Sequence, residues 1–113
     1  MPIHVRRSLS LPIPGSHRLC LKSIARIASP LDPAKPAFEF VFGDTTQAIS
    51  KITGVILRPN ESLEKLIENL LGRCLEVDED VDLEKFLGAE FEVVVVAKGL
   101  HGRSIESIRP ITQ

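Results

Sequence analysis

The sequence has no tryptophan and no tyrosine, and its aromatic content is five phenylalanines. Two of the residue types that most often stack on nucleobases are therefore missing, and any base stacking falls to phenylalanine. Cysteine is scarce as well. Cys20 and Cys74 form neither a disulfide framework nor a metal-ligand pair, which points to a reducing, cytoplasmic location and argues against a cysteine-stapled scaffold. Long apolar runs are absent: Val93 to Ala97 is far too short to cross a bilayer, so no membrane partner is expected. Pro2, Pro12 and Pro14 break up the first residues, which have no continuous apolar stretch, so a secretory signal is not expected. No acid precedes Asp32, as in a transit peptide, but the prolines and the missing amphipathic helix oppose that reading.

Catalytic patterns are missing too. The chain contains no phosphate-cradling glycine loop, no nucleophile elbow and no Cys/His arrangement of known spacing. The acidic stretch Glu76, Asp78, Glu79, Asp80 and Asp82 lacks the glycine and the alternating ligands of a calcium loop. His4 and His17 have no neighbours that suggest a metal site or a catalytic pair. The expectation is a protein that is not an enzyme, with no metal and no cofactor.

The 113 residues suit one domain, and 43% hydrophobic with 26% charged residues is a globular profile. Net charge is −1, but it is unevenly spread. Up to Lys35 there are six bases (Arg6, Arg7, Arg18, Lys22, Arg26, Lys35) against Asp32 alone. From Asn60 to Glu92 there are three bases (Lys65, Arg73, Lys85) and eleven acids. Such asymmetry marks either a basic binding face set apart from an acidic one or two solvated surfaces that neutralise each other.

Residues 1–16 read as an extended N-terminal arm, because Pro12, Pro14 and Gly15 deny regular structure there. The domain follows over 17–113. His17 to Ile27 alternates, with Leu19, Leu21, Ala25 and Ile27 on one face and Arg18, Cys20, Lys22, Ile24 and Arg26 on the other. Strands are also expected over 38–42, 47–57, 91–97 and 104–111. Leu63, Leu66, Ile67, Leu70 and Leu71 recur at the helical period, so residues 61–71 read as a helix, capped by Asn60 and ended by Gly72. A short helical turn is expected over 83–87, closed by Gly88.

Three strands, one helix and two strands is the order of a mainly β, five-stranded OB-like barrel with its helix between strands 3 and 4. An α+β sandwich shares that order. The run Lys51-Ile52-Thr53-Gly54, then Pro59, Ser62 and Leu63, the helix end Leu70-Leu71-Gly72-Arg73, Asp82-Leu83 and Leu87-Gly88 resembles small OB-like proteins of bacteria and their phages. Some of these are similar to single-stranded-DNA-binding proteins. The resemblance covers roughly residues 17–111 and implies single-stranded DNA as a partner; the missing Trp and Tyr depart from a typical strand-binding member.

The candidate nucleic-acid-binding residues are Arg18, Lys22, Arg26, Lys51, Arg58, Lys98, His101 and Arg103. Arg18, Lys22 and Arg26 recur every fourth position and would share one strand face, able to track phosphates or to protect a strand edge. Lys51 and Arg58 flank strand 3, and Lys98, His101 and Arg103 surround the last hairpin, a loop that OB proteins use to grip ligands. Phe38, Phe40 and Phe42 share a face and form either a stacking platform or a core. The alternative function is a protein-interaction or assembly module of a larger machine. It would engage a protein partner, or a second copy of the chain, through the arm or the acidic surface.

Overall fold

The computed structural model describes residues 10–100 and 102–111. Their order is β1 (Gly15–Ala28), β2 (Pro36–Gly43), β3 (Ala48–Thr53), α1 (Ser62–Leu71), a short 3-10 turn (Leu83–Phe86), β4 (Glu90–Lys98) and β5 (Gly102–Pro110). The strands form one antiparallel sheet in the order β3-β2-β1-β4-β5. β1 organises it: residues 15–20 pair with β4 and residues 20–28 pair with β2. The edges β3 and β5 come within 8 Å of each other at Cα but are not hydrogen-bonded, so the sheet is curled and not closed into a barrel.

A bulge sets the curl. Leu21 lies opposite Phe42 and Ser23 opposite Val41, so Lys22 is an extra residue on β1 with no partner on β2. An extra residue bends a strand and increases its twist, and this one falls just after β1 changes partners. It also shifts the alternation by one. Ile24 and Arg26 lie opposite Phe40 and Phe38, on the same side of the sheet as Leu19 and Leu21. The expected single face for Arg18, Lys22 and Arg26 is therefore corrected: Arg18 and Arg26 point to opposite faces.

The inner face is the core. Leu19, Leu21, Phe40, Phe42, Ile49, Phe91, Val93, Val95, Ile105 and Ile108 are buried there beneath Leu63, Leu66, Ile67 and Leu70 of α1. Fully burying each such side chain is worth about 1.5–3 kcal/mol. Phe40 and Phe42 are inside, Phe38 is half-buried edge-on against Phe40 at 6.3 Å, and Phe42 meets Phe91 edge-on at 6.1 Å. The phenylalanines of β2 are spent on packing, which corrects the stacking-platform reading.

Three of the boundaries that differ from expectation have a visible physical cause. β3 stops at Thr53, because Gly54 and the turn toward Pro59 carry Ile56 and Leu57 out to solvent. Glu61, with extended backbone, takes the N-cap position of α1, while Asn60 adopts a φ of 63° and its N–H donates to Glu64 Oε1 at 3.2 Å. At the other end Gly72 takes the left-handed conformation and its N–H donates to Glu68 O, as expected of a terminating glycine. The arm is the third. Ser10 bridges Gln47, Pro12 is fully buried, and Gly15 and Ser16 already belong to β1. The part of the arm before Ser10 lies outside the described residues.

Candidate nucleic-acid interface

On the outer face of β1, Arg18 lies opposite Glu92, which in turn lies opposite Arg109 on β5. Arg18 Nε is 3.6 Å from Glu90 Oε2, and Arg109 Nη2 donates to Glu92 Oε1 at 2.7 Å. The row Arg18–Glu92–Arg109 thus alternates in sign across three strands. Alternation of this kind lowers the field that a phosphate would meet. The guanidinium of Arg109 holds the Glu92 carboxyl below its ordinary pKa.

Lys22 has a structural partner. From the bulge its Nζ donates to the carbonyl of Asp44 in the β2–β3 turn. The Asp44 carboxylate itself accepts from Thr46 N, Gln47 N, Thr46 Oγ1 and Gln47 Nε2 at 2.8–3.1 Å, which orders the turn and lowers its pKa, the Thr46 N–H being the main cause. Lys22 is therefore engaged before any ligand arrives, while Arg18 has only an exposed carboxylate neighbour in Glu90.

The other cations fall into three groups. Arg26 is exposed at the end of β1, opposite Phe38, with no ion pair among the described residues. Near it in the fold, a groove of about 380 Å³ is lined by Lys35, Pro36, Val55, Ile56, Arg58 and Glu61, and Arg58 Nη1 is 3.9 Å from Glu61 Oε1. Lys51 lies opposite Phe40 on the inner face of β3, half-buried. It lines a cleft of about 280 Å³ beneath α1 together with Ser62, Lys65 and Asn69, and Glu106 stands across it on β5. Lys98 and Arg103 occupy the two strands of the β4–β5 hairpin. Arg103 Nη1 donates to Gly102 O at 2.9 Å, and its Nε is buried without a partner among the described residues. His101 lies outside the described residues.

Sequence reasoning did not include Lys35 or Lys65 among the candidates. Lys65 sits on the polar side of α1 and Lys35 in a proline-rich loop, positions where a lysine is usually only solvated. The groove and the cleft that give them neighbours are tertiary. Among the described residues no group of three His, Cys, Asp or Glu side chains is placed to hold a metal ion, and no helix is long and apolar enough to cross a membrane. No protein-family model matches the sequence, and no curated protein matches it.

Proposed function

We propose that the chain is a non-catalytic, single-stranded nucleic-acid-binding domain of OB type. The observation that carries this reading is the connectivity. β1 is shared between the two halves of the sheet, and α1, inserted between β3 and β4, packs on β5 beside the seam where β3 and β5 approach. Closing that seam would complete the five-stranded OB barrel, an architecture that hosts oligonucleotides on its strand face and loops. Fold analogy gives the ligand class, and the charges give the contacts. Arg26, Lys51, Lys98 and Arg103 have no carboxylate partner among the described residues, and Arg58 has only a loose one. With Phe40 and Phe42 inside, affinity rests on phosphates, so it is weak, insensitive to sequence and steeply salt-dependent.

Fluorescence-anisotropy titration of labelled DNA and RNA oligonucleotides at two salt concentrations tests it. Binding at low salt that weakens sharply at high salt is the expected outcome. An absence of binding even at low salt, where attraction is least screened, overturns the reading. One observation favours the interaction-module alternative: a fixed acidic turn presents an almost fully exposed valine, Val77.

A further inference from the structure

The turn that carries Val77 is rigidly built. Glu79 accepts from Arg73 Nη1 at 2.9 Å and from Arg73 Nη2 at 2.6 Å, a two-pronged pair, and from the Glu76 N–H at 3.0 Å. The Glu79 N–H donates to Glu76 O at 3.2 Å, closing the turn, and Asp78 adopts a φ of 61° within it. Leu75, just before the turn, donates its N–H to Glu68 Oε2 at 2.7 Å and packs against the core. The framework holds Val77 at 93% exposure, flanked in the chain by the exposed Glu76, Asp78 and Asp80. Glu79 is matched by Arg73, and Glu76, Asp78 and Asp80 make no ion pair among the described residues, which leaves a net negative charge about the apolar tip.

The groove at the other end of α1 has the opposite character. Pro36, Val55 and Ile56 supply its apolar wall, and Ile56 is 56% exposed. Lys35 and Arg58 stand at its rim, and Glu61 offsets part of Arg58 from 3.9 Å, where an exposed pair holds weakly. An apolar wall with a net positive rim is the chemical complement of an apolar tip with a negative rim.

The chain cannot satisfy this match within itself. Glu61 of the groove immediately precedes α1 and Arg73 of the turn follows it, and ten helical residues hold the two about 15 Å apart. We infer that the Val77 turn of one copy docks in the Lys35/Arg58 groove of a second copy, so that the chain self-associates head to tail. The two surfaces differ, so the contact is heterologous and each copy has one donor and one acceptor end. Because the turn is already fixed, little ordering entropy opposes docking. The inference is independent of nucleic-acid binding and is tested without oligonucleotide.

Sedimentation velocity on the full chain at about 0.05 M and about 0.5 M salt provides the test. The expected result is a concentration-dependent species heavier than the 12.5 kDa monomer, which weakens at high salt. Val77→Ser removes the tip, and Lys35→Glu with Arg58→Glu reverses the rim. Each change lies on the surface, folding is checked by circular dichroism, and each should weaken association about tenfold or more. The decisive sample is the mixture. The Val77→Ser chain keeps an intact groove and the rim-reversed chain keeps an intact turn, so together they should form a pair of about 25 kDa that neither forms alone. A wild-type chain that stays monomeric at low salt overturns the inference. So does association that either variant leaves unchanged, or a mixture that stays monomeric.

Discussion

Arg18 and Arg26, both on β1 and separated by an even number of residues, emerge on opposite faces of the sheet because Lys22 is an unpaired bulge residue between them. An uninterrupted strand would have aligned them. The bulge instead leaves Arg18 in an alternating row with Glu90, Glu92 and Arg109, and sends Arg26 to the inner side of the rim with no carboxylate partner among the described residues.

The two arginines should therefore answer differently when neutralised. Arg26→Gln is expected to weaken oligonucleotide binding and to reduce the salt slope by about 0.7, the share of one phosphate contact on a single strand. Arg18→Gln should leave the slope unchanged. Anisotropy titrations across a salt series read both, and equal slopes for the two variants would show that the bulge does not decide which arginine meets phosphate.

The packing of α1 makes the helix the main support of the inner face. Leu66 is 2% exposed and Leu70 is 2% exposed. Leu66→Ala or Leu70→Ala should cost about 2–5 kcal/mol through lost burial and a residual cavity. Urea denaturation measures it, and a loss below about 1 kcal/mol would mean that the helix is only loosely docked.

Gly72 ends α1 at a φ of 75°, and a Cβ there would sit 3.2 Å from Pro110 Cγ at the end of β5. Gly72→Ala combines left-handed strain with a close contact and should destabilise the fold by about 1–2 kcal/mol. A variant as stable as the wild type in thermal unfolding would contradict this account of the helix end.

Removal of residues 1–14 should lower the melting temperature by about 4 °C or more. Pro12 is buried, the Ser10 N–H donates to Thr46 O at 3.1 Å, and the Ala48 N–H donates to Ser10 O at 3.0 Å. An unchanged melting temperature would show that this segment is an appendage.

Acid should loosen the Val77 turn only at low pH. The Arg73 guanidinium, aided by the Glu76 N–H, lowers the Glu79 carboxyl from 4.5 to about 2. A folded-state pKa below the unfolded one contributes stability that is fully present above the unfolded value and lost as pH falls through the folded value. The contribution is thus intact above about pH 4.5 and disappears toward about pH 2. Glu79→Gln should remove this part of the pH dependence, and NMR titration of the Glu76 amide reads it directly.

The sequence by itself determined the elements. Leu63, Leu66, Ile67 and Leu70 specify a helix because only the 3.6-residue period puts them on one side, and Phe38, Phe40 and Phe42 specify a strand because only alternation does the same. Strand, strand, strand, helix, strand, strand is legible in that order for the same reason. What only the tertiary structure decided is which side each charge faces and which charge it meets. A bulge leaves no mark on the alternation of Arg18, Lys22 and Arg26, because its position depends on where β1 leaves β4 for β2, a property of pairing between distant segments. The approach of Glu90 to Arg18, the tie of Lys22 to Asp44 and the placing of Lys35 and Arg58 around one groove likewise join residues far apart in the chain. Local pattern records the period of a side chain along its own backbone, and carries no information about the neighbour that folding brings to it.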